Sequence, residues 1–303
     1  MENNAAIRPD EPANVIVAAT DFSAAADVAV ARAARLARAL DAELIVLHVF
    51  NDGVWRTLMN VFDIGSWRGP EPAMLARDEL SRRAAETAAQ SGARVRAECL
   101  TGSAAAEIAA FVAVTGARLL VVGQRGENAA DGVILGSTAL KLLRRVDVPV
   151  LLARAPVGAD YARALVATDY SDCSRRLARV VPELLPAAHG TLIHAYALPY
   201  EGRMRLAGAS DAEIRRLREH ARERAEVGMA DFVAGLSGGG AERFERRLAY
   251  GFPAAAILEE AAVSRADLVA IGRHGGSVGE ERLLGSVTQN VLHHAPCDLL
   301  LMP

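Results

Sequence analysis

Ala18-Ala19-Thr20-Asp21-Phe22-Ser23 returns later in the chain as Val166-Ala167-Thr168-Asp169-Tyr170-Ser171, and that repetition decides the fold. Working outward, four more segments return in the same order. Leu47-His48-Val49 returns as Ile193-His194-Ala195, 146 residues on. Gly102-Ser103-Ala104-Ala105-Ala106-Glu107-Ile108 returns as Gly251-Phe252-Pro253-Ala254-Ala255-Ala256-Ile257. Val121-Val122-Gly123-Gln124-Arg125-Gly126 returns as Ala270-Ile271-Gly272-Arg273-His274-Gly275, and Leu135-Gly136-Ser137 as Leu284-Gly285-Ser286. The last three pairs share one offset of 149 residues. A period that long is a duplicated domain rather than a solenoid repeat. The 303 residues therefore read as two domains, 1–156 and 157–303, joined near Ala155-Pro156-Val157-Gly158-Ala159-Asp160.

Within each half, short apolar runs alternate with helical stretches. Val15–Ala19, Glu43–Val49, Arg94–Leu100, Leu119–Val122 and Val148–Ala153 read as strands. The stretches from Ser23 to Leu40, Ala73 to Ser91, Ala104 to Thr115 and Ser137 to Arg145 read as helices, with Gly92 and Gly116 as stops. The second half repeats the strands at Ala164–Ala167, Thr191–Ala195, Glu242–Ala249, Leu268–Ile271 and Leu299–Met302, and Pro182 should kink or shorten its first helix. Alternation of this kind implies an α/β fold of two doubly wound parallel five-stranded sheets with helices on both faces. The final strand of each half would be an apolar sheet edge, which predicts pairing of the halves about a pseudo-twofold axis.

Composition narrows the function classes. Apolar residues make up 51% and charged residues 23%, with a net charge of -3, so no basic footprint for nucleic acid or an anionic membrane is present. Neither a signal peptide nor a membrane span is recognisable, and Cys99, Cys173 and Cys297 are scattered without metal-ligand spacing. A soluble cytoplasmic protein in a reducing compartment is expected. The charged run with Arg215, Arg216, Arg218, Arg222 and Arg224 reads as a solvated helix face with i,i+4 pairs. Trp55 and Trp67 would cover the crevice or an interface, or simply pack.

Ligands of open doubly wound sheets bind beyond the carboxyl ends of the strands at the switch point. Asp21 and Asp169 stand just past strand one, and Gly123 and Gly272 just past strand four. Each half carries the pattern G-x2-G-x9-G-S: Gly123, Gly126, Gly136, Ser137 and Gly272, Gly275, Gly285, Ser286. Such glycines allow close approach and positive φ, their N–H groups can form an anion nest, and a following helix start favours an anion. Ser137 and Ser286 are placed either to cap that helix or to donate to a phosphate. The plainer alternatives are flexible strand-to-helix turns, and aspartates that merely cap the next helix. His48 and His194 read as hydrogen-bonded packing positions. Neither a Walker lysine motif nor G-x-G-x-x-G is present.

A-T-D-[FY]-S and the paired glycine loops resemble the universal stress protein family, over nearly the whole chain and twice. The resemblance implies strand order 3-2-1-4-5 and a loop that binds ATP as its magnesium complex. It implies that Asp21 and Asp169 meet adenine or ribose, and that Val49 and Ala195 line the adenine slot. Gly126, Gly136 and Ser137, with Gly275, Gly285 and Ser286, would hold the phosphates, and Thr138, Val287 and Thr288 continue that cofactor-binding loop. Pro253 replaces Ala104, Thr288 replaces Ala139, and Glu127 and Asp131 crowd the first loop, so the second half lies nearer the pattern. Three functions remain open: an ATP-binding regulator of the stress response, with an unknown protein partner and a possible further homodimer; a nucleotide-independent interaction module; or a slow ATPase or autophosphorylating protein. No catalytic or metal-ligating residue is assigned.

Overall fold

The computed structural model describes residues 14–53, 71–124, 135–154, 158–236, 241–275 and 284–303. The chain divides into two units, residues 1–157 and 158–303. The first runs β1 (Val15–Thr20), α1 (Ala24–Ala39), β2 (Glu43–Phe50), α2 (Pro72–Ser91), β3 (Arg94–Thr101), α3 (Ala104–Thr115), β4 (Leu119–Gly123), α4 (Ser137–Leu143) and β5 (Val150–Ala153). Its strand pairs are all parallel and give the order β3-β2-β1-β4-β5. The second runs β6 (Arg163–Ala167), α5 (Asp172–Leu184), β7 (His189–Tyr196), α6 (Glu201–Leu206), α7 (Asp211–Ala234), β8 (Phe244–Tyr250), α8 (Pro253–Val263), β9 (Leu268–Gly272), α9 (Ser286–His294) and β10 (Asp298–Met302). Its parallel pairs give β8-β7-β6-β9-β10, the same order strand for strand. Both units thus have the 3-2-1-4-5 arrangement.

Burial explains the sequence pattern. Ile16, Val17 and Ala18 of β1, and Leu165 and Val166 of β6, lose essentially all solvent contact. A central parallel strand covered on both faces must be apolar on both, and these are. α1 packs beside α2, α3 beside α4, and α8 beside α9, which puts helices on both faces of the sheets. α1 begins because Ser23 is its N-cap and accepts from the Ala26 N–H at 3.2 Å. It presents Ala26, Ala29, Ala33 and Ala37 to the sheet, small residues that let the helix lie close. Gly92 and Gly116 end α2 and α3 in the left-handed conformation, at φ 69° and 61°.

Several boundaries differ from expectation for local reasons. β5 starts at Val150, because Pro149 has no N–H to give the ladder; its carbonyl accepts from Leu120 instead. α4 ends at Leu143. β8 starts at Phe244 after a 3-10 turn at Ala241–Arg243, and β7 reaches back to His189. α5 runs through Pro182 and ends at Leu184, with 13 residues where α1 has 16; Leu185, the residue before Pro186, is its C-cap. α6 has no counterpart in the strand-and-helix pattern read from sequence. Glu201 ties it down, accepting from Arg218 at 2.6 Å and from the Tyr250 hydroxyl. On α7 only part of the charge run forms i,i+4 pairs. Arg222 meets Glu226 at 2.9 Å, but Arg218 leaves the helix for Glu201, and Glu213 forms a capping box with Ser210. The three cysteines are free thiols, with Cys297 buried. Among the described residues no helix is long and apolar enough to cross a membrane. Trp55, Trp67 and residues 237–240 lie outside the described residues.

Close packing between the first helix and the fourth strand fixes where the crevice opens. A Cβ on Gly123 would stand 2.7 Å from the Ala25 carbonyl oxygen. On Gly272 it would stand 2.8 Å from the Cys173 sulfur. Gly123→Ala therefore should destabilise the first unit by about 1–3 kcal/mol, the range for overpacking a filled site. Gly202→Ala, with nothing within 4 Å of the added carbon, should be neutral or slightly stabilising. Urea unfolding of the two variants side by side measures the contrast.

Candidate functional site

The chain leaves the first strand of each unit through one unusual turn. Phe22 and Tyr170 take left-handed backbone, at φ 67° and 68°. For a bulky residue that conformation costs about 1–3 kcal/mol and persists only where surroundings enforce it. The enforcement is the same in both units. Thr20 Oγ1 accepts the Phe22 N–H at 3.0 Å, and Thr168 Oγ1 accepts the Tyr170 N–H at 3.0 Å. His48 Nδ1 donates to the Thr20 carbonyl at 2.9 Å and its ring stacks on Phe22, centroids 4.3 Å apart. His194 does the same with Thr168 and Tyr170, at 2.9 Å and 4.0 Å. The Tyr170 hydroxyl then reaches the Ala225 carbonyl on α7 at 2.8 Å.

This turn settles what the aspartates do locally. Asp21 Oδ1 accepts from the Ser23 N–H at 3.1 Å and its hydroxyl at 2.6 Å. Asp169 Oδ1 accepts from the Ser171 N–H at 3.1 Å and from the Ser174 hydroxyl at 3.1 Å. The caps are Ser23 and Ser171, not the aspartates, which orient them. Asp169 Oδ2 faces Gly275, 3.2 Å from where a Cβ there would stand.

The glycine loops differ from the expected picture in three respects. First, the described loop glycines are not left-handed: Gly136 and Gly285 have φ of -63° and -60°, and Gly123, Gly272 and Gly275 are not among the positive-φ residues. Second, the Gly136 N–H donates to the Gln124 carbonyl and the Gly285 N–H to the Arg273 carbonyl, each at 2.9 Å, so those two N–H groups close the base of the loop. Third, Gly136 and Gly285 are the N-caps, so Ser137 and Ser286 are first helical residues and cap nothing. Both serines are exposed, as is Thr138. α9 consequently starts without a side-chain cap, and the N–H groups of its first turn have no partner inside the helix. The Thr288 hydroxyl donates to the Gly272 carbonyl at 2.7 Å, tying α9 to the end of β9. Ala139 makes no such bond in the first unit. Gly126, Glu127 and Asp131 lie outside the described residues.

In the second unit the separate features meet. Asp169, Ala195, Gly272, Gly275, Gly285, Ser286, Val287 and Thr288 all line one cavity of about 200 Å³. Ala167, Ile193, Pro253, Ile257 and Ile271 supply an apolar wall, and Thr168, Ser171 and Ser174 part of its polar rim. Such a slot, apolar with a few converging polar groups, suits a small heterocyclic ligand. His274 also lines it and was not singled out from sequence; its place between Arg273 and Gly275 in the repeated loop was the available signal. In the first unit, Asp21, Gly123, Gly136, Ser137 and Thr138 occupy the equivalent strand ends and helix start. Val49 is buried on β2, in register with Leu100.

A model of the Universal stress protein family matches residues 13–154 and again residues 160–303. A universal stress protein of Mycolicibacterium smegmatis is 28% identical over 310 residues, covering 95% of this chain and 96% of its own. A Thermus aquaticus protein, "Universal stress protein in QAH/OAS sulfhydrylase 3'region", is 38% identical over 142 residues, 46% of this chain and 96% of its own. The crystal structure of a universal stress protein from Archaeoglobus fulgidus shares the fold with a TM-score of 0.62 at 19% identity, covering 96% of this chain and 98% of that one.

Burial pushes His48 and His194 below the ordinary imidazole value of 6.5, while the threonine carbonyls and the neighbouring aspartates push back more weakly. Both rings are therefore neutral at pH 7, with the proton on the nitrogen that faces the carbonyl. The sign of the linkage follows. The unfolded chain takes up protons near pH 6.5 and the folded chain only at lower pH, so the stabilisation is complete above 6.5 and is lost as pH falls below it. The melting temperature should drop between pH 7.5 and pH 5.5, and the His48→Gln/His194→Gln double variant should show a smaller drop. Calorimetric melting of both proteins across that range checks it.

Proposed function

The chain belongs to the universal stress protein family, and on that premise we propose that its second half binds an adenine nucleotide, ATP as its magnesium complex, and acts as a nucleotide-dependent regulator of the stress response. The observation that carries this reading is the single cavity on which Asp169, the apolar slot and the start of α9 converge. The slot by Ala195, Ile193 and Ile257 accepts a flat base. The Asp169 carboxylate suits the donors of adenine or ribose and repels phosphate. The first turn of α9 has N–H groups and a positive dipole end for phosphate, on Ser286, Val287 and Thr288. The residues present therefore fit the nucleotide. Magnesium would offset the phosphate charge, and ATP occupancy would set which protein partner the molecule engages.

The test starts with the supernatant of denatured protein, analysed by anion-exchange chromatography, and continues with calorimetric titration of stripped protein by Mg-ATP. Ala195→Trp fills the slot and should abolish binding without lowering the melting temperature. Asp169→Asn should weaken binding about tenfold or more, as expected for a hydrogen bond to a charged group worth about 1.5–3 kcal/mol. Gly136→Val, in the first half, should leave binding by the second half intact. Absence of nucleotide and of heat at millimolar ATP would favour the interaction-module function instead.

A further inference from the structure

The described residues that line the cavity of the second unit include one carboxylate, Asp169, and two imidazoles, His194 and His274, and no lysine or arginine. Among those described residues an anion meets helix N–H groups but no permanent cation. The two histidines differ in what they already do. His194 spends its Nδ1 proton on the Thr168 carbonyl, its ring stacks on Tyr170, and burial holds it neutral. His274 rises from the base of the glycine loop. Its Cα lies 3.7 Å from where a Cβ on Gly285, the N-cap of α9, would stand. Its Nε2 is shielded from water and has no hydrogen-bond partner among the described residues. A buried ring nitrogen without a partner is unfavourable, and such groups in native proteins call for an explanation.

We infer that His274 is the cation of this site, acquired on binding: as a nucleotide phosphate settles at the start of α9, the imidazole takes up one proton from solvent and the imidazolium pairs with the phosphate. The inference rests on the nucleotide reading above. The charged and titratable groups around His274 set the balance. Asp169, on the turn after β6, favours the imidazolium, and its Oδ2 lies close to neighbouring Gly275. Arg273, the adjacent residue, opposes it. His194 on β7 stays neutral, and the Cys173 thiol of α5, pushed up by burial, stays uncharged. The lining residues of α9 itself, Ser286, Val287 and Thr288, carry no charge. With Asp169 and Arg273 opposed, an arriving phosphate tips the ring toward protonation. The same repeat position in the first half is Arg125, a permanent cation, so pH sensitivity of this kind belongs to the second half alone.

Calorimetry on the full chain tests this without first needing a variant. Mg-ATP is titrated at pH 6.0 and pH 8.0, each in two buffers of different ionisation enthalpy, with adenosine as the phosphate-free probe. The expected result is ATP binding about tenfold tighter at pH 6.0, with buffer-dependent heat that reports proton uptake. Adenosine should show neither effect. His274→Arg should bind ATP tightly at both values, and His274→Asn should bind weakly, keeping only the slope from the ligand's own phosphate. Equal proton uptake in His274→Asn, or the same pH slope for adenosine, overturns the inference. ATP binding with a flat pH response overturns it while leaving the nucleotide reading standing. Failure of both ATP and adenosine to bind at either pH removes the nucleotide reading, and this inference with it.

Discussion

Each half depends on a backbone conformation that its own residue type resists: left-handed φ at an aromatic side chain, Phe22 in one unit and Tyr170 in the other. Everything near the crevice follows from holding it. The turn swings the aspartate toward the crevice, delivers a serine to the N-cap of the next helix, and lays the aromatic ring against the histidine of the second strand. It also seats the long helix above. Tyr170 lies where only glycine fits on α7, since a Cβ on Gly228 would stand 2.7 Å from the ring. In the first unit the Arg83 guanidinium of α2 covers Phe22, 5.2 Å from the ring centre. Strain at one residue is thus balanced by contacts from two strands and a helix, which is the usual bargain at a functional site.

Much of this was legible in the chain itself. Duplication, element order and parallel pairing follow from segments that return in register. Most of the residues that line the cavity of the second half stand at or near strand ends or helix starts that the topology brings together. What sequence could not show was what each residue faces. Gly123 and Gly272 read as room for phosphate, yet the space beside them is taken by Ala25 and Cys173, roughly a hundred residues earlier in the chain. Thr288 read as part of the cofactor-binding loop, and nothing in its local sequence signals that its hydroxyl donates to the Gly272 carbonyl. α6 was invisible because its anchor, Glu201 to Tyr250, joins positions far apart in sequence. Local propensity locates elements; these contacts are decided by tertiary packing.

The two halves share a scaffold and differ in fittings. Pro253 and Thr288 stiffen the second crevice where Ala104 and Ala139 leave the first with less. Thr288 gives α9 a bond to the strand behind it that α4 lacks.

The narrow neck of the glycine loop has an evolutionary consequence. One backbone bond, from Gly136 to Gln124 or from Gly285 to Arg273, clasps the two ends of the loop, and neighbouring bonds fasten that clasp to the last strand, from Gln124 to Ala153 and from Arg273 to Met302. The clasp is made of backbone atoms alone and asks nothing of the side chains at its ends beyond room to close. Selection can therefore change those side chains while leaving strand register untouched. A duplicated gene built on such a plan can diverge in what its two halves recognise long before it diverges in how they fold.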